Sequence, residues 1–286
     1  LTGSDLEIGI KSSPISATVE KEGSVAIEAK LFSEIIRRLN GESVTIDANG
    51  NEAVIKCGFS EFTLMTQPAE DFPALPEVEK EFSYKISQPM LRDMINSTIF
   101  SVALDESKPF LTGELIEFKP NSTNIVSVDG FRISYRMTES ENSKESKVIV
   151  PAKTMREISR ILSGEEEKET EIFITDKHIL FSINGNTVVS RIIEGDYIKY
   201  EQTFTDSYKT RVVLDRSLLI SSLERASLIS RDARKMPVKL EIGGSKIIIT
   251  SQTEIGKAYE EVEAAVEGEE LKIAFNPRYL IDALKA

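Results

Sequence analysis

The hydrophobic residues of this chain follow two periods, one typical of amphipathic helices and one typical of strands. Between residues 29 and 41 the apolar side chains fall on one face of a helix, with Ile35 and Leu39 on that stripe. The next two stretches, 52–57 and 61–66, alternate apolar and polar residues. Such alternation predicts an antiparallel strand pair after the helix.

The helix and its strands occur more than once. Residues 152–164 match residues 29–41 at an offset of 123, with seven of the thirteen positions identical. Chance identity of about 6% per position would give fewer than one match. A third, shorter copy spans residues 277–285. The strands predicted around these copies are Val25–Ile27, Val148–Val150 and Leu271–Ile273 before the helices, and 171–175 with 178–183 after the second helix.

A second type of amphipathic helix precedes a second set of strands. Ser87 and Asp215 are its predicted N-caps, because their side chains can accept hydrogen bonds from N–H groups of the first turn. The strands after these helices are joined by turn-forming residues, Pro120-Asn121-Ser122 and Gly243-Gly244-Ser245. We therefore predict an α+β chain of three tandem repeats, each with two amphipathic helices packed on antiparallel sheets.

The repeat spacing predicts the domain boundaries. In the second repeat 71 residues separate the opening strand near Phe82 from Lys153, whereas 29 residues precede Lys30 in the first repeat. Only 8 residues follow Arg278 in the third. We expect a window on a longer protein, with the second half of a first domain at 1–78, a complete second domain at 79–205, and a third domain without its C-terminal strands at 206–286.

Composition excludes several classes of protein. With 40% hydrophobic and 29% charged residues, the chain has the composition of a folded soluble protein. No apolar stretch reaches the roughly 20 residues of a membrane helix, and the first residues have no secretory pattern. Cys57 and His178 are single residues of their types, so neither an internal disulfide nor a zinc or haem site is expected. We expect a cytoplasmic protein without a cofactor.

Catalytic motifs are also missing. The sequence holds no P-loop, no Gly-rich dinucleotide fingerprint, no nucleophile elbow and no second histidine. The acidic run at 165–167 lies in a polar turn and is typical of solvated surface. We therefore predict a protein that is not an enzyme. The net charge of −12 means that any binding to nucleic acid must come from locally concentrated Lys and Arg.

Four short segments resemble those of a known family. They are Thr2-Gly3-Ser4-Asp5-Leu6-Glu7, Asp71-Phe72-Pro73, Val128-Asp129-Gly130-Phe131-Arg132 and Asn276-Pro277-Arg278-Tyr279. Together with the repeats, they resemble the bacterial sliding clamps, the beta subunits of DNA polymerase III, over the entire chain. The resemblance implies a non-catalytic, ring-shaped homodimer that encircles duplex DNA, tethers the polymerase and other proteins with clamp-binding motifs, and is opened by a clamp loader. A three-repeat interaction adaptor that does not encircle DNA is the alternative.

Basic residues recur at the same positions of the repeated helix. Lys153 and Arg160, like their counterparts in the other copies, are seven residues apart and share the face opposite the apolar stripe. An ordinary solvated face is one interpretation, because Glu34, Glu157 and Asp282 can form intrahelical pairs. For the basic residues at 225–235, favourable charge at a helix C-terminus is an equal alternative. The resemblance instead implies a DNA-facing set: Lys30, Arg37, Arg38, Lys153, Arg156, Arg160, Arg225, Arg231, Arg234, Arg278 and Lys285.

The resemblance also implies a groove for a short peptide with apolar anchors, built from an apolar floor and a few polar groups. This chain has Ile198 where the family usually has Pro, and Lys108 and Gln202 where Arg is common. Gly130 is expected both to form an Asp-Gly hairpin turn and to let the peptide approach. The implied groove residues are Lys108, Leu111, Val128, Gly130, Phe131, Arg132, Ile133, Ile198, Gln202, Thr203, Asn276 and Tyr279.

A subunit interface is implied by the same resemblance. Phe62 and Leu64 alternate with Thr63, so both point to one face of a strand that can pair across subunits if it lies at an edge. Taken alone, each of these residues is explained equally well as core. Ion pairs between Lys30 and an acidic residue would add little if exposed. The implied interface residues are Phe62, Leu64, Leu228, Ile229, Lys30, Glu254 and Glu260.

Overall fold

The computed structural model describes residues 1–165, 167–205, 207–229 and 237–286. Their strands are β1 (Thr2–Ser4), β2 (Ile8–Lys11), β3 (Val25–Ile27), β4 (Thr45–Asn49), β5 (Glu52–Cys57), β6 (Ser60–Pro68), β7 (Tyr84–Ser87), β8 (Gly113–Lys119), β9 (Ser122–Val128), β10 (Ile133–Glu139), β11 (Ser146–Pro151), β12 (Glu169–Ile174), β13 (His178–Ile183), β14 (Asn186–Arg191), β15 (Thr210–Leu214), β16 (Val238–Gly243), β17 (Lys246–Thr253), β18 (Gly256–Gly268) and β19 (Leu271–Phe275). Their helices are α1 (Ala29–Arg38), α2 (Gln88–Asn96), α3 (Ala152–Ile161), α4 (Arg216–Leu228) and α5 (Pro277–Lys285). Short 3₁₀ turns lie at Ala69–Asp71, Ile99–Ser101, Pro109–Leu111 and Tyr200–Thr203.

The chain divides into two compact units. One comprises Leu1–Gln88 and Ile161–Ile192, and the other comprises Pro89–Arg160 and Ile193–Ala286. Each unit combines antiparallel sheets with helices, which confirms the predicted α+β class.

The first unit contains a six-stranded and a four-stranded sheet. Their strand orders are β1-β2-β14-β13-β12-β7 and β3-β6-β5-β4. On the smaller sheet, the apolar stripe of α1 packs against β5 and β6, where Ile35, Ile55 and Leu64 are buried together. Burial of this stripe leaves the opposite face of α1 in solvent.

A buried glutamine ties loops of the first unit together. Gln88 is fully buried, and its Nε2 donates to Glu169 O and Asn184 Oδ1, both at 3.1 Å. Its Oε1 accepts from the backbone N–H of Ser163 at 2.8 Å. Because buried polar groups are costly without partners, these bonds fix the segment that follows α3.

The second unit contains the sheets β10-β9-β8-β11 and β15-β18-β17-β16-β19. Each sheet has its own core, and α4 buries Leu223 and Ala226 in the core of the second. The core of the first sheet consists of Leu111, Leu115, Val126, Val128, Ile149 and Tyr200.

The predicted strand pairs and turns are confirmed. β5 pairs with β6, β12 with β13, β8 with β9, and β16 with β17, all antiparallel. Asp215 caps α4 by accepting from Leu218 N at 2.9 Å, and Ser87 directly precedes α2. The carboxylate of Glu28 caps α1, a cap that the sequence pattern does not predict. Along the described ranges, no helix combines the length and apolar character that crossing a membrane requires.

Candidate DNA-facing helices, peptide groove and subunit edges

The repeated helices carry their basic residues on solvent-exposed faces. On α3, Lys153, Arg156 and Arg160 are exposed, whereas Met155 and Ile158 on the opposite face are fully buried. The helix period separates the two sets as predicted. The other described members of the DNA-facing set are also exposed: Lys30, Arg37, Arg38, Arg225, Arg278 and Lys285.

Several of these basic residues already form ion pairs with carboxylates of the same chain. Arg160 pairs with Glu157 at 2.5 Å, as the intrahelical spacing predicts. Lys285 pairs instead with Glu224 of α4 at 2.6 Å, which ties α5 to α4. Such exposed pairs contribute little stability, so a phosphate can compete with the carboxylate.

Arg225 makes the strongest of these pairs. Its Nε and Nη2 donate to the two oxygens of Glu260 at 2.9 and 2.6 Å. These hydrogen bonds raise the pKa of Arg225 and lower the pKa of Glu260. This ion pair therefore joins Arg225, which is predicted to face DNA, to Glu260, which is predicted to lie at the subunit interface. Arg231 and Arg234 lie outside the described residues.

Several of the predicted groove residues lie at or beside the hairpin between β9 and β10. Gly130 adopts a φ of 88°, in the left-handed region that favours glycine. Asp129 Oδ1 accepts from the backbone N–H groups of Phe131 and Arg132 at 3.0 and 3.1 Å. A Cβ atom on Gly130 would meet no atom within 4 Å. The space above the turn is thus open, and backbone conformation is what requires glycine here.

Arg132 is held on several sides and does not project as a free rim residue. Its Nε donates to Asp129 Oδ2 and its Nη1 to Asp282 Oδ2, both at 2.9 Å, while Nη2 donates to Phe100 O at 2.5 Å. The guanidinium carbon lies 4.4 Å from the ring centroid of Tyr279 and 5.3 Å from that of Phe100. Charge-assisted bonds and cation–π contacts together hold this side chain in one position.

Phe131 and Tyr279 are the aromatic members of the predicted groove set. Phe131 is 83% exposed, and its ring centroid lies 6.1 Å from that of Tyr279. Asn276 caps α5 by accepting from the backbone N–H of Arg278 at 3.0 Å, so its side chain supports the helix that carries Tyr279. An exposed aromatic side chain beside a fixed one is a suitable anchor point for an apolar peptide residue.

The other predicted groove residues divide into floor and rim. Leu111 and Val128 are buried in the core of the β8–β11 sheet, and Ile133 packs against them. These residues are therefore candidates for the floor of the predicted groove. The exposed members of the set are Lys108, Ile198, Gln202 and Thr203.

A neighbouring aromatic cluster was not predicted. Tyr135 has ring centroids of Tyr200 and Phe204 at 5.8 and 5.7 Å, and Tyr200 donates to Glu117 Oε2 at 2.5 Å. The alternation of polar and apolar residues along β10 predicts a strand but does not reveal the partners of Tyr135.

Glu114 of β8 is a buried carboxyl group that was also missed. Its Oε1 lies 2.6 Å from Thr98 Oγ1 and 3.1 Å from Ser127 Oγ. Its Oε2 has no hydrogen-bond partner among the described residues. Burial raises the pKa of Glu114 to about 8, against the lowering effects of Thr98, Ser127 and the charge of Arg156.

The predicted interface residues differ in their exposure. Phe62 is 39% exposed, whereas Leu64 is buried in the core with Ile35 and Ile55, so burial of Leu64 needs no second subunit. Leu228, at the end of α4, is 52% exposed. Of the other predicted members, Ile229 is half-buried and accepts from Thr253 Oγ1 at 3.3 Å, while Lys30 and Glu254 are exposed.

Besides the terminal strand of each sheet, β6 and β18 each have a stretch whose second edge no described strand covers. Residues Ser60–Met65 of β6 pair with β5 only, because β3 pairs with Thr66–Pro68. Residues Gly256–Glu263 of β18 pair with β17 only, because β15 pairs further along the same strand. Each edge presents free backbone donors and acceptors within the described part of the chain.

Clusters of metal-ligating residues and clefts are the other places at which a functional site is expected. No group of three or more His, Cys, Asp or Glu residues in the described ranges is arranged to hold a metal ion. A cleft in the first unit is lined by residues of β2, β14 and the Pro73–Pro76 segment. It includes none of the groove residues.

Comparison with known proteins identifies one family. Models of the N-terminal, central and C-terminal domains of the DNA polymerase III beta subunit match residues 1–76, 85–199 and 201–286. The beta sliding clamp of Staphylococcus aureus is 34% identical over 298 residues, which cover 100% of this chain and 78% of that protein. The crystal structures of the DNA polymerase beta subunit of Streptococcus pyogenes and of the sliding clamp of Bacillus subtilis have TM-scores of 0.89 and 0.88. Each is 31% identical to this chain and matches 99% of it and 78% of that chain. The chain therefore belongs to the beta sliding clamp family, the beta subunits of DNA polymerase III.

Proposed function

We propose that two copies of this chain encircle duplex DNA through the basic faces of α1, α3 and α5, and that each copy holds partner proteins at the groove around Phe131. As a member of its family, the chain is a sliding clamp for the replicative polymerase, and the family acts as a processivity factor and not as an enzyme. Tethering raises the effective concentration of the polymerase at its template.

The recurrence of exposed basic residues on three helices is the observation that supports the DNA-facing assignment. Contacts from Lys and Arg to phosphates carry no sequence information. Carboxylates on the same helices, such as Glu157 beside Arg160, keep each phosphate contact weak. No single register on the duplex is then strongly preferred, which suits sliding.

Topological linkage tests the proposal and separates it from the adaptor alternative. The full-length protein would be loaded onto a nicked circular duplex and then the circle would be cut. A clamp stays on the circle at high salt and leaves after linearisation, because only the ring holds it. A protein that leaves both forms equally would be an adaptor or a simple DNA-binding protein.

The groove is proposed to bind a short peptide with one or two large apolar side chains and a polar residue that orients it. Leu111 and Val128 shape the floor from below, and Phe131 with Tyr279 forms an aromatic wall. A micromolar affinity, about 8 kcal/mol, is reasonable for so small an interface. Because Gln202 replaces an Arg that is common in the family, we expect the rim to carry one positive charge fewer here, whereas Lys108 keeps the charge of the Arg that it replaces.

Calorimetry with a polymerase-derived peptide tests the groove. Phe131→Ala should weaken binding about tenfold, because it removes an exposed aromatic contact without changing the turn. Gly130→Val should also block binding, but its φ of 88° means that this variant strains the hairpin as well. Phe59→Ala, which removes a fully exposed aromatic residue of the first unit, is the matched control. Equal binding by Phe131→Ala and the control would exclude this groove.

The uncovered edges of β6 and β18 are proposed as the subunit contact. Antiparallel pairing of Ser60–Met65 in one copy with Gly256–Glu263 in the other would satisfy both edges. Phe62 and Leu228 are exposed near these edges and would gain burial. The bidentate bond of Glu260 to Arg225 makes Glu254 the better acidic partner for Lys30 of the other copy.

The remaining partners follow from this topology. A closed ring cannot thread onto circular DNA, so we propose that a clamp loader opens it. We also propose that the protein acts in the cytoplasm, where bacterial chromosomes are replicated. The domain ranges 1–78, 79–205 and 206–286 complete the proposal as three clamp repeats.

A further inference from the structure

We propose that Asp282 of α5 is a positioning residue for the peptide groove, acting through Arg132. The inference rests on the proposed function, because it assigns a role within the proposed groove. Asp282 lies on the helix that carries Arg278 and Lys285, and the sequence predicts only an intrahelical pair for it. The structure gives it a second and closer partner.

Asp282 interacts more strongly with Arg132 than with Arg278. Its Oδ2 lies 2.9 Å from Arg132 Nη1 but 3.9 Å from Arg278 Nε. The Arg132 side chain is 16% exposed and the Arg278 side chain is 78% exposed. Attraction between charges is weaker at longer distance and in more solvent, so the Arg132 pair dominates.

The pair completes the contacts that hold the β9–β10 hairpin against α5. Arg132 has a second carboxylate partner in Asp129, the residue whose Oδ1 also holds the backbone of the turn. Its guanidinium lies over the ring of Tyr279. Asp282 thus fixes one end of an arginine whose other bonds define where the adjacent Phe131 sits.

Phe131 itself has little else to hold it. Its side chain is 83% exposed, and its aromatic contact is with Tyr279. If the Asp282–Arg132 bond is broken, the hairpin and α5 lose a direct link, and the Phe131–Tyr279 wall becomes less well ordered before the peptide arrives. Ordering the wall then costs binding free energy.

Peptide binding to three variants tests the inference. With a fluorescent polymerase-derived peptide, Asp282→Asn should weaken binding about tenfold, the size expected for loss of one charge-assisted bond that orders the site. Asp282→Glu, which can still reach Arg132, should recover most of the affinity. Glu224→Gln removes another ion pair of α5, the one with Lys285, and should leave peptide affinity unchanged.

A double-mutant cycle distinguishes positioning from a direct contact with the peptide. If Asp282 acts by ordering Phe131, then Asp282→Asn should have little further effect in a Phe131→Ala background. Additive losses would mean that Asp282 touches the peptide or acts elsewhere, and would overturn the proposal.

Hydrogen exchange provides a readout that needs no peptide. In the free protein, Asp282→Asn should speed exchange at the backbone amides of Phe131 and Arg132 by severalfold, while Glu224→Gln should not. Unchanged exchange would overturn the inference. A wild type that binds no peptide would instead count against the proposed groove.

Discussion

Thr98 Oγ1 lies 2.6 Å from Glu114 Oε1 and 2.7 Å from Met94 O, so its single hydroxyl proton can go to Met94 O while a neutral Glu114 donates to Thr98. The carboxyl group of β8 is therefore linked to the backbone of α2 in the interior of the second unit. Because burial favours the neutral form of Glu114, the charge at this link changes with pH.

The first prediction concerns stability and pH. The folded-state pKa of Glu114 is about 8, above its usual value of 4.5, so the folded state binds a proton that the unfolded state releases between these values. The contribution of Glu114 to the free energy of unfolding is fully present below pH 4.5 and is lost as pH rises through 8. Glu114→Gln should therefore be more stable than wild type at pH 9, by on the order of a few kcal/mol, and similar at pH 4.5.

Denaturant unfolding across this pH range measures the difference. Glu171→Gln, at a half-exposed carboxylate of β12, controls for the change in net charge. A difference between Glu114→Gln and wild type that stays constant with pH would show that Glu114 does not titrate in this way.

The second prediction concerns the basic face of α3. Reversing Lys153, Arg156 and Arg160 to Glu should shorten retention of the loaded ring on circular duplex. It should also reduce the salt dependence by about one unit of slope for each phosphate that the variant no longer neutralises. Folding should survive, because these side chains point away from the buried stripe.

The control for that variant keeps the same net charge. Lys144, Lys147 and Lys177 are exposed residues outside the three repeated helices, so reversing them changes the charge equally. If both triple variants reduce the salt slope by the same amount, net charge and not the α3 face explains the effect.

The third prediction concerns subunit association. Leu228→Asp should dissociate the full-length dimer, because an unpaired charge buried at the interface costs several kcal/mol. Leu218→Asp is the matched control, since Leu218 is 57% exposed on the same helix and Leu228 is 52% exposed. Sedimentation at low micromolar concentration measures the mass. A Leu228→Asp variant that remains dimeric would remove this residue from the interface.

The fourth prediction separates Phe62 from Leu64 on β6. Leu64→Ala opens a cavity in the core with Ile35 and Ile55, so it should lower the unfolding free energy by about 2–5 kcal/mol. Phe62→Ala should have a smaller effect on unfolding but a larger one on the dimer dissociation constant. Thermal unfolding and sedimentation of both variants make the comparison, and a reversed order would place Leu64 in the contact instead.

Much of the fold could be predicted because the sequence repeats a local pattern. The stripe of Ile35 and its counterpart Ile158 predicts both the helices and the exposure of the basic faces. The Asp129-Gly130 turn is also local, since it requires only a left-handed φ at glycine and a carboxylate one residue earlier.

The groove was harder to predict because its bonds are not local. Arg132 bonds to Phe100 and Asp282, which are 32 and 150 positions away in the chain. An arginine at position 132 predicts a polar rim. Only the folded structure shows that its N–H groups bond to Asp129, Asp282 and Phe100. Glu114 was missed for another reason. Both faces of β8 are largely buried, so alternation gives no sign that a carboxyl group lies in the interior.

The long strand β18 leaves an open edge on an isolated subunit. Its first eight residues, Gly256–Glu263, offer an uncovered edge, as do Ser60–Met65 of β6. Exposed, regular edges are templates for unintended strand addition, the first step of ordered aggregation. A subunit without its proposed partner would therefore be open to such addition until a second copy covers these edges.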